Sequence, residues 1–124
     1  MGATANAEEV EALQALTEYS PKLIKALKAV TGELSGERLP DTGEYLKAII
    51  NGMNWEIQIY NGTKELFTGI EALDKDKAND AFVAFSDAYK KSDDEMMKNL
   101  IMLKIIPFFT ALEEAAKNIV SSAS

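Results

Sequence analysis

The side chains in this sequence that can do chemistry are carboxylates, amines, phenols and hydroxyls; histidine and cysteine are absent. That removes imidazole as a base, metal ligand or haem ligand. It also removes thiolate as nucleophile, zinc ligand or disulfide partner. What remains is judged by spacing. Adjacent carboxylates stand at Glu8-Glu9, Asp93-Asp94 and Glu113-Glu114. Sequence neighbours on a helix point about 100° apart and share no site, so these read as capping or solvated charge.

Three metal or cofactor arrangements fail, two for want of histidine and one on its spacing. A di-iron bundle needs Glu-x-x-His pairs, and a bundle cytochrome needs an axial His. A calcium loop starting at Asp74, "DKDKANDAFVAF", begins well with Asp74 and Asp76. It then places Ala78 at a ligand position, Asn79 where the turn needs Gly, and Phe85 where the bidentate Glu belongs. No G-x-S-x-G, Walker or dinucleotide loop is present. The expectation is a protein that is not an enzyme, with no catalytic residue, no metal and no cofactor.

The totals bound the rest. A chain of 124 residues suggests one domain spanning 1–124. Hydrophobic residues at 47% and charged residues at 27% fit a globular protein and not a disordered one. The formal net charge of −7, with a single arginine at Arg38, repels phosphate backbones and anionic headgroups, so neither nucleic acid nor membrane is an expected partner. "MGATANAEEV" has no basic stretch followed by an apolar run, and the longest apolar run is interrupted by Lys104. A cytoplasmic location is expected.

The elements that would position any site are helices. The first segment, Ala7 to Leu34, puts Leu13, Leu16, Leu23, Ile24, Leu27, Val30 and Leu34 on one face. That face keeps its phase across Pro21, which predicts a kinked but continuous helix. Gly36 and Pro40 stop it, and Asp41 with Glu44 resembles a capping box. The second segment runs from Thr42 to about Leu73 on Leu46, Ile49, Ile50, Met53, Ile57, Tyr60 and Phe67, with a possible earlier end at Asn61-Gly62 and Thr63 capping a second piece. The third is short, about Asp76 to Lys90, on Ala78, Ala81, Phe82, Phe85 and Tyr89. Ser92 and Glu95 form a capping box for the fourth, Asp93 to about Val120, on Ile101, Ile105, Phe108, Leu112, Ala115 and Ile119. Pro107 lies nearly opposite that face, so a second kink is predicted. The fold expected is all-α: an up-and-down antiparallel four-helix bundle with a short third helix and proline-kinked first and fourth helices.

Two apolar stripes exceed what these core faces need. On the second segment, Ala48, Trp55, Ile59 and Leu66 run beside Gly52, with Asn51, Asn54, Gln58 and Asn61 on the polar side. Trp55 either fills the gap between two neighbouring helices or stands exposed as an interface anchor. On the fourth segment, Met96, Leu100, Leu103 and Pro107 lie at helical spacing outside the core face, with Ile106 at their edge. They either pack on the third helix or form an exposed seam made adaptable by methionine. The function expected is contact with protein, as a homodimer or as an adaptor or chaperone-like binder of an amphipathic helix. The expected contact residues are Trp55, Met96, Leu100, Leu103 and Pro107. The alternative is a binder of a small apolar ligand, in a pocket between Trp55, Tyr60, Phe108 and Phe109.

"EYLKAIINGMNWEIQIYN" followed by "IIPFFTALEEAAKNIV" resembles a family of small, uncharacterised, all-helical proteins of Gram-positive bacteria, a domain of unknown function. The shared pattern is a Gly-containing amphipathic helix, then a Leu/Ile-Pro-aromatic step in an acidic last helix, over roughly residues 40 to 120. The resemblance implies a helical bundle and carries no activity.

Overall fold

Asn6 starts the first helix. Its side chain accepts from the Glu9 amide at 2.8 Å, and the Glu9 carboxylate accepts from the Asn6 amide at 3.0 Å, which closes a capping box. In the computed structural model, which describes residues 5–36, 38–70 and 73–123, α1 then runs Ala7–Leu34 without interruption. Pro21 lies inside it, exposed and opposite the buried face. It denies the Thr17 carbonyl its helical donor, a cost of roughly 3 kcal/mol in a helix interior that packing must offset. The buried face is Leu13, Leu16, Ser20, Leu23, Leu27, Val30 and Leu34. Its steps alternate between three and four residues, the spacing of a seam between packed helices. Gly36 follows at φ 108°, in the left-handed region that glycine enters freely at a helix end.

The second helix, α2, spans Thr42–Gly62. The capping box expected of Asp41 does not form, because Asp41 makes no side-chain cap bond. Thr42 takes over the corner instead. It is fully buried, accepts from the Leu39 amide at 2.8 Å and donates to the Glu33 carboxylate at 2.7 Å, which ties the turn back to α1. The expected run to Leu73 is also cut short. Thr63 closes α2 from behind, its amide reaching Ile59 and Tyr60 and its hydroxyl the Ile59 carbonyl at 2.7 Å. A 3-10 turn over Lys64–Phe67 follows. The helix expected at residues 71 and 72, and the readings of residues 1–4 and 124, lie outside the described residues.

The third helix, α3, spans Lys75–Lys90, and Asp74 caps it by accepting from the Asp76 and Lys77 amides at 2.9 and 3.1 Å. The acidic stretch rejected as a calcium loop is therefore a helix start. The next helix, α4, spans Asp94–Leu100. Its cap is Asp93, accepting from the Met96 amide at 3.1 Å, and not Ser92, which takes the turn itself at φ 55°. Arg38 holds this corner to the α1–α2 connection through a 3.1 Å bond to Asp94.

The last rod continues from α4 through a π turn over Ile101–Ile105 into α5, Ile106–Ala123, a few residues past the expected end at Val120. The Ile106 amide reaches back to the Ile101 carbonyl, one residue further than in an α-helix. Two causes converge there. The buried positions Met97, Ile101, Ile105, Phe108, Leu112 and Ala115 contain two consecutive steps of four. That is one residue more than an alternating seam allows, and a wide turn absorbs it without rotating the seam. Pro107 also needs room, because its ring crowds the carbonyl four residues back. The kink expected at this proline is realised as a widened turn in a continuous rod.

Among the described residues there are four helical rods and no strand. α1 lies against α2 on one side and against α5 and α4 on the other, while α3 packs on α4 and the π turn. This closes an up-and-down antiparallel bundle. Near one end, Tyr60, Phe67, Phe82, Phe108 and Phe109 pack ring against ring at centroid distances of 5.3–5.8 Å. Edge-to-face pairs of this kind contribute about 0.5–1.5 kcal/mol each beyond the area they bury. The Tyr60 hydroxyl is satisfied by the Leu73 carbonyl at 3.1 Å.

Candidate functional site

Two polar residues sit on the buried seams of α1 and α2, and they meet. The α2 seam is Leu46, Ile49, Met53, Glu56 and Tyr60, again in alternating steps of three and four. Glu56 occupies a position that the pattern reserves for an apolar side chain, as Ser20 does on α1. Both are 0% exposed. The Ser20 hydroxyl lies 3.1 and 2.9 Å from the two Glu56 carboxyl oxygens and 2.9 Å from the Leu16 carbonyl. Among the described residues no lysine or arginine pairs with Glu56; the nearby Glu113 is engaged by Lys117 at 3.4 Å.

Burial pushes the Glu56 carboxyl up to about 7; the Ser20 hydrogen bond pulls it down, and the negative charge of Glu113 pushes it further up. A serine hydroxyl has one proton, while three acceptor oxygens lie within its reach. The Ser20 hydroxyl is the donor in these contacts, toward the Leu16 carbonyl and toward the Glu56 carboxyl oxygens. The Leu16 carbonyl also has the helical Ser20 amide, so an ionised Glu56 that takes the Ser20 hydroxyl keeps one carboxylate oxygen without a donor.

The same junction explains Gly52. A Cβ there would collide with the Tyr19 hydroxyl and ring. Tyr19 therefore lies over bare backbone, and its ring meets Trp55 edge-on at 5.5 Å and 87°. Burial raises the Tyr19 phenol, and the Glu56 charge adds to this. Tyr19 and Ser20 of α1 thus grip Gly52, Trp55 and Glu56 of α2. Glu56 faces no open cleft: the shallow hollow beside it is lined by Tyr19, Ala48, Asn51, Gly52 and Trp55.

The residues expected to make partner contacts are spread over two places. Trp55 is 40% exposed on α2, against Tyr19. On the last rod, Met96 is 48% and Leu103 70% exposed, Pro107 is exposed, and Leu100 is half-buried. Met102, at 54%, extends this face. Leu103 and Pro107 also border a narrow cleft against α3, beside Ala78, Ala81 and Phe82. The pocket expected between Trp55, Tyr60, Phe108 and Phe109 is replaced by packed rings: Phe109 is 0% and Phe108 6% exposed, and Trp55 meets Tyr19 instead. The apolar concavity lies elsewhere, a groove of ≈ 590 Å³ walled by Leu66, Ile70, Ala111, Ala115 and Ile119.

Sequence reading gives Tyr19, Ser20 and Glu56 no part in a site; Ser20 offers itself there only as a cap for a helix restarting at Pro21, and the continuous α1 makes it a seam residue instead. The signal was present, because Ser20 and Glu56 fill single gaps in otherwise apolar heptad-like seams. Among the described residues no three His, Cys, Asp or Glu side chains converge in a way that could hold a metal, and no helix is long and apolar enough to cross a membrane.

A family model described as a domain of unknown function (DUF8042) matches residues 11–115. The chain belongs to that family. No curated protein and no solved structure matches it.

Proposed function

We propose that this DUF8042 protein works by protein–protein contact, presenting the face of Met96, Leu100, Leu103 and Pro107 to another helix. The observation that carries the reading is Leu103, a large aliphatic side chain left 70% exposed, with Met96 48% exposed and Pro107 exposed on the same rod. Single exposed leucines are ordinary, but Met96, Leu100, Leu103 and Pro107 follow one another along a single rod from α4 through the π turn into α5, and such a series of apolar anchors is how one amphipathic helix receives another. Methionine at the edges suits a surface that adapts to its partner. A second copy of the chain is the first partner to test, with an amphipathic helix of another protein as the alternative. Neither nucleic acid nor membrane is part of this reading, and the net charge of −7 supports leaving them out. Nor is catalysis. The resemblance to helical proteins of Gram-positive bacteria points to a bacterial source, and a cytoplasmic location is part of the proposal, which cell fractionation tests.

Light scattering over a concentration series is the test of self-association. A mass that rises toward a dimer in the wild type and stays monomeric in Leu103→Asp supports the reading. A wild type that remains monomeric removes the second copy as partner. Failure of the stripe to shift in NMR spectra on titration with amphipathic helical peptides would remove the helix-binding form.

A second reading, a binder of small apolar ligands, is favoured by the groove at Leu66, Ile70, Ala115 and Ile119. Methyl shifts of Ala115 and Ile119 on titration with octanol test it; unchanged shifts remove it.

A further inference from the structure

Glu56 has no part in the contact face on the last rod, and a packing role alone does not explain a carboxyl on a seam. An apolar residue of similar volume would stabilise the interface as well or better. We propose that Glu56 is a proton-binding site built into the α1–α2 interface, held there as the neutral acid, and that loss of its proton loosens α1 from α2.

The geometry carries this in three steps. First, the carboxyl is 0% exposed and lies on the α2 seam between Met53 and Tyr60, so an ionised form has no water to solvate it while the helices stay closed. Second, its hydrogen-bond donor is the Ser20 hydroxyl, whose one proton serves one carboxyl oxygen at a time, so an ionised carboxylate keeps charge and an unpaired oxygen inside the seam. Third, the groups facing Glu56 do not offer compensation. From α1 come Tyr19 and Ser20, which bring no positive charge. From α5 comes Glu113, which brings a negative one, with Lys117 spent on Glu113.

The remaining way to solvate a carboxylate here is to separate the helices. That movement would part Tyr19 from Gly52 and Trp55, because these contacts belong to the same junction. The raised titration of Glu56 agrees with this picture, placing the release near neutral pH, while Tyr19 is pushed above its ordinary range and titrates well outside that window.

The sign follows from linkage. In the open state the carboxyl has an ordinary acidity, and in the closed state it holds its proton up to about pH 7. Opening therefore becomes easier as pH rises, by up to about tenfold per pH unit from the ordinary carboxylate range to the folded-state value, and levels off above it.

Amide hydrogen exchange of the whole chain, corrected for the intrinsic rate at each pH, reads this directly. Wild type should lose protection around Ser20 and Glu56 between about pH 5 and about pH 7 and then plateau. Glu56→Gln keeps the shape and a donor for Ser20 but cannot ionise, so its protection should be flat across the same range. Glu56→Met should be flat as well, which separates loss of the titration from any local effect of the amide. A wild-type profile that is already flat overturns the proposal whether or not either variant folds. So does a slope that survives in Glu56→Gln or Glu56→Met.

Discussion

The Ser20 hydroxyl sits 3.1 and 2.9 Å from the two carboxyl oxygens of Glu56, and both residues are fully buried on facing helix seams. The pair is the one polar interruption in each of two otherwise apolar stripes on α1 and α2, apart from Thr42 at the first residue of α2. It fixes how α1 and α2 register, since sliding one helix by a turn would set each polar group against hydrocarbon.

The first prediction concerns pH. Glu56 has a folded-state value of about 7, above the ordinary carboxylate range, so the folded state holds a proton that the unfolded state has released. Its stabilising effect is whole below about pH 4.5 and is lost as pH rises through about 7. Unfolding free energies from denaturant titrations should decline by about 3 kcal/mol across that window from this group alone. In Glu56→Gln that part of the decline should vanish, and near pH 8 the variant should be at least as stable as wild type. Equal slopes in the two proteins would refute the assignment.

Gly52→Ala tests the grip of Tyr19. Alanine is the better helix former by about 1 kcal/mol, yet a Cβ here meets the Tyr19 hydroxyl and ring. The net effect should be destabilisation by about 1–3 kcal/mol. Tyr19→Phe in the same chain should recover much of it, because the oxygen is the nearest atom to the new methyl. A double-mutant cycle by thermal unfolding measures the coupling, and additive effects would mean that the two residues do not touch.

Leu103→Asp should leave stability within about ±0.5 kcal/mol of wild type, because the side chain is 70% exposed and gives little to the fold. It should abolish self-association in light scattering at every concentration tested. A destabilisation of several kcal/mol would instead show that Leu103 is covered within one chain.

The two helical prolines should respond differently. Pro21 stands in a regular α-helix, so Pro21→Ala restores a hydrogen bond and should stabilise by about 1–3 kcal/mol. Pro107 follows a turn already widened to admit it, so Pro107→Ala should gain less. The π turn should survive in Pro107→Ala, because the seam still carries its extra residue between Met97 and Phe108. Carbonyl and amide NMR shifts over Ile101–Ile105 distinguish survival from reversion to a plain α-helix.

Much of this architecture was legible in the sequence because it is periodic. Leu13 through Leu34 and Ile101 through Leu112 announce their helices at the spacing of an amphipathic face, and Pro21 and Pro107 fall on the outer side where phase alone puts them. Helix ends were less legible, since short polar residues compete for the same caps. Asp93 displaced Ser92 and Thr42 did the work expected of Asp41, while the earlier end at Asn61-Gly62 is the one the chain takes, with Thr63 both closing α2 and opening the 3-10 turn.

The junction at Ser20 and Glu56 escaped for a different reason. Reading a face by its apolar members alone drops a polar residue from it, and Ile57 was assigned the place that Glu56 holds. Ile57 is half-buried, while Glu56 is fully enclosed. Nothing local reveals that Ser20 and Glu56, far apart in sequence, satisfy each other. The clue was a single missing apolar step in each alternating pattern, at Ser20 and at Glu56.

The central claim is that Glu56 keeps its proton inside the closed bundle up to about pH 7. Carbon-13 NMR of the Glu56 side-chain carboxyl, followed through a pH titration of the intact protein, tests it most directly. The account predicts a midpoint near 7, well apart from the other glutamates, moving higher in Ser20→Ala as the hydrogen bond that favours the charged form is removed. A midpoint in the ordinary carboxylate range, near 4.3, would contradict it.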